Sequence, residues 1–252
     1  MALSDRLRVI RVAEPSDRTL AIEVMRATYK QEKNWITRDE KLFPDDELGK
    51  EGISWFVVLH DDRPVGTLRV LYDLPLDLYQ EYGFKTLDGI NLDDFIRTNR
   101  IAEIGRFAVL PEYRRHMMVV GALMREASRE TIERGYTHYV TDIFEGEAHS
   151  PYNFHTRVLG FQPVATHDTG ELNCPNRRIT LILELKSGYH RLREQGGWLF
   201  RFFTEGWPHH VHEKILSQTP PINGAVVDGK SSPTADAKGL PATPPRSLQP
   251  KA

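Results

Sequence analysis

Hydrophobic and polar positions change period several times along the chain, and each change marks an element. Leu7 to Val12 reads as a first strand. Asp17 to Tyr29 then places Leu20, Ile22, Val24 and Met25 on a first helix. Trp35 to Leu48 is charged, aromatic and irregular, and reads as a loop with a short helix. Ile53 to His60 and Val65 to Tyr72 are apolar strands, and Asp61-Asp62-Arg63-Pro64 between them predicts a hairpin turn. Asp73 to Arg100 is an acidic insertion punctuated by Pro and Gly, with a short helix around Leu92 to Arg97.

Ile101 to Leu110 reads as a buried strand ended by Pro111. Arg114 to Arg134 carries Val119, Val120, Leu123, Met124 and Ala127 at helical spacing, with Gly135 as its cap. Tyr136 to Phe144 is a strand, and Tyr152 to Leu159 a short helix closed by Gly160. Gln162 to Thr166 and Arg178 to Leu185 are two last strands, and Tyr189 to Leu216 one or two amphipathic helices. This order predicts an α/β (α+β) chain with a mixed sheet and helices on both faces.

Composition changes near Ser217. From there to Ala252 the chain is rich in Pro, Gly, Ser, Ala and Lys and lacks aromatic residues. Too little apolar surface is on offer there to offset chain ordering, so 217–252 is expected to be a disordered tail. The remainder is long enough for one sizeable core. With 33 basic and 35 acidic residues the formal net charge is -2, which leaves no electrostatic footprint for nucleic acid. The one cysteine, Cys174, excludes an intrachain disulfide and fits a reducing compartment. Met1 to Arg11 has no signal-like apolar run, and no stretch has the length of a membrane span. The expectation is a cytoplasmic protein. Its open membrane option is peripheral contact through Trp198-Leu-Phe-Arg-Phe-Phe203 and Trp207, a stripe that would equally pack on the sheet, close over an acyl tunnel or meet a dimer partner.

The most informative segment runs Glu103-Ile-Gly-Arg106-Phe-Ala-Val-Leu-Pro111-Glu-Tyr-Arg114-Arg115 into the long helix. A strand, a Pro turn, two arginines and a helix start would suit an anion such as pyrophosphate, because first-turn N–H groups are unpaired and carry partial positive charge. A plain strand-turn-helix with surface arginines has the same spacing.

At these residues the chain resembles the GNAT acyltransferases, whose V-x-P-x-x-R-R turn is matched by Val109-Leu-Pro111-Glu-Tyr-Arg114-Arg115. The first glycine position of that family's helix holds Met117 or Met118, and Gly121 is the glycine left nearby. The resemblance is closer to the long-chain N-acyl amino acid synthases and the autoinducer synthases. The ordered set is Arg26, Tyr29, Trp35, Asp45 with Asp46, Arg69 in Gly66-Thr-Leu-Arg69, then Glu103-Ile-Gly-Arg106. Leu74-Pro-Leu-Asp-Leu-Tyr79, the insertion to Arg100, and Tyr152-Asn-Phe-His-Thr-Arg-Val-Leu-Gly160-Phe161 point to the N-acyl amino acid synthase branch.

The resemblance implies a GNAT-like, mostly antiparallel sheet over residues 1–186, a helical extension over 187–216 and the tail. It implies transfer of a medium or long acyl chain from acyl carrier protein, or acyl-coenzyme A, to an amino acid or other amine. An acetyl-coenzyme A N-acetyltransferase, an autoinducer synthase and a non-catalytic acyl-binding module are the alternatives. Acyl-phosphopantetheine enters as co-substrate, with no tightly bound cofactor. The resemblance places Phe107, Ala108, Val109, Arg114, Arg115, Gly121 and Asn153 at the donor. Trp35, Asp45 and Arg69 fall at the substrate.

A thioester is already activated, so the chemistry needs N–H donors at the oxyanion and an acceptor for the ammonium proton. Glu103 is the candidate base, and Arg106 the anchor for a carboxylate or for Glu103. Three apart on one strand, they face opposite sides unless a bulge intervenes. The position at which ordinary GNAT members carry an acidic tyrosine holds Thr156, leaving Tyr152, His155 or water to substitute. No metal is expected. His209-His210-Val-His212 reads as surface, and no acidic or cysteine cluster stands with it or with His149 and His155.

Overall fold

The computed structural model describes residues 6–72, 74, 82–87, 92–147 and 150–218. Among them eight strands form one sheet: β1 (Leu7–Arg11), β2 (Ile53–His60), β3 (Arg63–Tyr72), β4 (Lys85–Thr86), β5 (Ile101–Val109), β6 (His138–Phe144), β7 (Gln162–His167) and β8 (Arg178–Glu184). Their order is β1-β2-β3-β5-β6-β8-β7-β4. β5 and β6 are parallel, and the other neighbours are antiparallel. β4 has no apolar alternation and was not expected from the pattern; it forms by pairing with β7.

β2 and β3 are buried almost throughout, because both faces of the sheet are covered there. On one face lies α3 (Met117–Glu133), whose Leu123 approaches the Cβ-less side of Gly66. On the other, α1 (Pro15–Met25) and the following loop close over the sheet, with Phe43 stacked on Trp55 at 4.2 Å. Full burial of side chains such as Trp55, Phe43 and Leu68 contributes about 1.5–3 kcal/mol each toward holding the layers together.

α1 runs directly into a wider π-helical turn, Arg26–Glu32, where Lys33 N–H donates to the Thr28 carbonyl at 3.0 Å. The short α2 (Leu92–Thr98) precedes β5. α3 starts three residues later than the apolar spacing predicts. Pro111–Tyr113 closes its own 3-10 turn and His116 is extended at φ −97°, ψ 91°, so Arg114 and Arg115 stand ahead of the helix.

The C-terminal region departs from expectation. It folds as three helices, α4 (Leu185–Gln195), α5 (Gly197–Thr204) and α6 (His209–Ser217). The expected boundary at 186/187 falls inside α4. Phe203, Val211 and Ile215 are buried in the same cluster as Leu123 and Ile132 of α3, and Trp207 Nε1–H donates to the Arg125 carbonyl at 3.2 Å. The aromatic stripe therefore packs on α3, leaving Trp198 exposed. Residues 219–252 of the expected tail lie outside the described residues. No described helix is long and apolar enough to cross a membrane.

Candidate active site

β5 and β6 pair at Ile101–Glu103 with His138–Val140 and then part. A cavity of about 660 Å³ opens at that splay, running along Glu103 to Val109 of β5. Along β5 the opposite edge stays paired to β3 up to Val109. Leu110 N–H bonds the Val65 carbonyl at 2.9 Å, so by alternation Val109 turns its N–H and carbonyl into the cleft.

Three carbonyls of β5 on the cleft side are taken by side chains. Thr141 Oγ1 donates to Ile104 at 2.8 Å, Tyr29 OH to Phe107 at 3.1 Å and Arg114 Nε to Val109 at 3.1 Å. Burial pushes the Tyr29 hydroxyl up to about 12, so it remains a donor at neutral pH. With carbonyls occupied, N–H groups are what this edge offers to a ligand. Phe107, Ala108 and Val109 all line the cavity.

At the inner end lies a charged network. Gly66↔Val109 and Thr67↔Ala108 pair in one register, Arg69↔Gly105 in the next, so Leu68 opposes both Arg106 and Phe107. This is a β-bulge, and Arg106 sits in the left-handed region at φ 50°. The bulge cancels the alternation that would send Arg106 to the face opposite Glu103. Arg69 lies 3.0 Å from Glu47, 3.5 Å from Glu103 and 3.5 Å from Glu171, and Glu171 also pairs with Arg106. Glu103 Oε1 passes so close over Gly105 that a Cβ there would meet it at 2.7 Å, so any larger residue would push this carboxylate aside.

Arg69 and Arg106 are buried, at 7% and 3% side-chain exposure. Burial opposes the Arg69 charge, but Glu103, Glu171 and Glu47 around it raise its hold on the proton. Burial likewise pushes Glu171 up, yet the Arg106 and Arg69 guanidinium groups hold it below the usual carboxylate range. Arg106 Nε and Nη1 have no hydrogen-bond partner. Two unpaired donors on a buried cation in a cavity wall call for an anionic ligand.

The other predicted site residues divide. Trp35 lines the cavity, packed against Phe144 at 4.4 Å and edge-on to Tyr29 at 5.3 Å. Asp45 does not line it; its side chain is 89% exposed and paired with Arg18 at 2.6 Å. Two residues on, Glu47 turns inward, accepting from Trp55 Nε1 at 2.8 Å while it holds Arg69. Asn153 is exposed and also stands off the cavity.

At the donor end Arg115 is exposed at the cavity mouth, whereas Arg114 is engaged. Its guanidinium forks onto Glu32, with Nη1–Oε1 at 2.7 Å, and the hydrogen bond from Arg114 holds the Glu32 carboxyl below its ordinary range. Gly121 lies inside α3, away from the cavity. A Cβ there would meet Phe202 of α5 at 2.6 Å, so this glycine serves helix packing instead of a phosphate.

His155 lines the cavity, donating its Nδ1–H to the Pro151 carbonyl at 2.9 Å, and burial lowers its affinity for a second proton. Tyr152 is exposed and does not reach the cavity. His209, His210 and His212 partner Glu213, Glu133 and Tyr189 separately, while His149 lies outside the described residues. No group of three or more His, Cys, Asp or Glu stands together as a metal site among the described residues.

Residues 21–176, more than half of the chain, match the family model of the N-acyl amino acid synthase FeeM. Among solved structures the chain is similar to FeeM, an N-acyl amino acid synthase from uncultured soil microbes. The two share 16% identity over 77% of this chain and 99% of that one, with a TM-score of 0.58. It is also similar to a GNAT-family protein from Desulfovibrio desulfuricans, at 16% identity over 71% and 99% of the chains and a TM-score of 0.50. These likenesses show the GNAT fold. No curated protein matches the chain.

Proposed function

The chain belongs to the N-acyl amino acid synthase FeeM family, and from this premise we propose that it is the acyltransferase that moves a medium or long acyl chain from the phosphopantetheine of acyl carrier protein to the amine of an amino acid. The observation that carries the acceptor is Arg106. A buried guanidinium with two free donors in the cavity wall suits a carboxylate, and an amino acid brings one. The donor reading is supported by what α3 lacks. Its fifth residue, Gly121, is used for packing, and Arg114 is already forked onto Glu32, so Arg115 and the first turn of α3 remain for a single phosphate.

The thioester lies along the splay, its carbonyl oxygen toward the cleft-side N–H groups of Phe107 to Val109, which favour the oxyanion of the tetrahedral intermediate. The acceptor carboxylate rests on Arg106. Glu103 takes a proton from the ammonium, and the freed amine attacks to form the C–N bond. The nitrogen of the tetrahedral intermediate gives its second proton to solvent, and the C–S bond breaks so that the pantetheine leaves as thiolate, to be protonated by solvent. A thiol is acidic enough to leave without a general acid, which agrees with Thr156 and the outward Tyr152.

A cavity of about 660 Å³ is within the range that buries a sizeable ligand. Acyl burial contributes about 0.8 kcal/mol per CH₂, which acetyl donors lack. The test is a donor series from acetyl to about C12 on carrier protein and on coenzyme A, with products identified by mass spectrometry. Turnover should climb with length and be greater from carrier protein. Efficient turnover of acetyl-coenzyme A alone would refute the proposal.

A further inference from the structure

Among the titratable groups with no part in that scheme are Asp142, which lines the cavity, and His167 behind it. Asp142 lies on β6 just beyond the last residue paired with β5. Continuing the Glu103↔Val140 register sets Asp142 across the cleft from Gly105, the residue that Glu103 and Arg69 overlie. Its side chain is 26% exposed and lines the cavity. Both carboxylate oxygens are held from behind: Thr180 Oγ1 donates to Oδ1 at 2.6 Å, and His167 Nε2 stands 3.0 Å from Oδ2.

The His167 side chain is fully buried, with the Tyr82 and Phe84 rings at 6.0 and 5.9 Å. Its Nδ1 faces the Thr169 carbonyl at 2.7 Å. A carbonyl only accepts, so Nδ1 carries a proton, and the ring turns Nε2 toward the Asp142 carboxylate. Burial lowers the ring's affinity for a second proton, but the hydrogen bond and charge of Asp142 outweigh it and raise the ring above its ordinary value. The Asp142 carboxylate, held from behind by Thr180 and His167, lines the cavity and so is suited to holding a cation.

We propose that Asp142 is the ammonium anchor of the acceptor amino acid and that His167 is the positioning residue that keeps its carboxylate aimed. The proposal rests on the amino acid reading above. Arg106 on one wall and Asp142 on the other would then grip the two ends of a zwitterion. Glu103, beside the same gap, is left to receive the proton. Amines without a carboxylate and acids without an amine would each lose one grip.

The experiment uses the purified full chain with a decanoyl carrier protein and a panel of the proteinogenic amino acids. The best acceptor is then compared with the α-hydroxy acid of the same side chain, as a competitor. Loss of one charged contact corresponds to about 10- to 10²-fold in binding. The wild type should prefer the amino acid by that factor. Asp142→Asn should remove the preference and raise acceptor KM about 10- to 10²-fold, with donor KM unchanged. His167→Gln, which keeps a side-chain donor, should raise acceptor KM less and leave donor KM alone. Melting curves establish that each variant is folded. A wild type that binds the hydroxy acid as tightly as the amino acid overturns the proposal without any variant. So does a folded Asp142→Asn that keeps the preference. A wild type that acylates no amino acid sinks the acceptor reading itself, and the anchor with it.

Discussion

Gly121 is where family pattern and packing make opposite forecasts. If it served the donor phosphate, Gly121→Ala would weaken donor binding and leave stability alone. The structure gives another expectation. The added Cβ would stand 2.6 Å from Phe202 Cε1 and 3.1 Å from its Cδ1, well inside contact distance. Overpacking of this kind costs about 1–3 kcal/mol. Alanine in a helix interior returns about 0.8–1 kcal/mol relative to glycine. The net is a loss of up to about 2 kcal/mol, or several degrees in Tm at about 2–4 °C per kcal/mol for a domain of this size. In a Phe202→Ala background both close contacts vanish and the nearest remaining atom is Phe203 Cε2 at 3.5 Å, an ordinary contact. There Gly121→Ala should stabilise by about 1 kcal/mol, so the substitution changes sign between backgrounds. Thermal melts of the four proteins, with donor KM measured on each, read the result. A stabilisation equal in both backgrounds, or a donor KM raised with Tm unchanged, refutes the packing account.

Other measurements follow from the site. Glu103→Gln should lower kcat about 10²-fold or more while Tm moves little, since shape and hydrogen bonding persist; normal kcat with an earlier melt would end the base assignment. Arg115→Ala should raise donor KM, whereas Arg114→Ala, which frees the Val109 carbonyl and Glu32, should chiefly lower kcat; the reverse split would exchange their roles. His138 is buried with its pKa pushed down by burial from 6.5 to about 4. The unfolded chain therefore binds the proton first, so the stability is present above about 6.5 and about 3 kcal/mol is lost as pH falls toward 4. His138→Leu should flatten that part of a denaturation-versus-pH curve. Truncation after Gln218, whose side chain still caps the Tyr136 carbonyl at 3.0 Å, should leave the melt and turnover unchanged.

Residues whose period is set by one face of one element were legible in the chain. The helix spacing of Val119, Leu123 and Ala127, the apolar runs of β2 and β3, and the sequence of strand, turn and basic pair all appear where the pattern puts them. What escaped depends on neighbours distant in sequence. Glu47 and Glu171 sit in irregular segments, where nothing in the local pattern tells an inward carboxylate from an outward one. The sequence pattern therefore points to Asp45 instead of Glu47 and carries no mark of Glu171. Gly121 resembled a phosphate glycine because its true neighbour, Phe202, is about 80 residues further on in α5. Alternation along β5 predicted Arg106 on the far face, and the bulge that turns it back becomes apparent only once β3 is paired.

That bulge also bears on what the site is for. Left-handed backbone at a long side chain costs of order 1–3 kcal/mol, and an unsatisfied buried donor about 1–3 kcal/mol more. Arg106 carries both burdens, with φ at 50° and Nε and Nη1 unpaired. A residue selected for stability alone would carry neither. An alternating strand would place Arg106 on the other face, where it could not meet Glu171 beside Arg69. The bulge instead brings it into the cavity with two donors free. Arg69, by contrast, is surrounded by three carboxylates and keeps Nε alone without a partner. The two arginines that look equivalent in the chain are thus divided by their surroundings: Arg69 organises the carboxylates, and Arg106 is left open to bind.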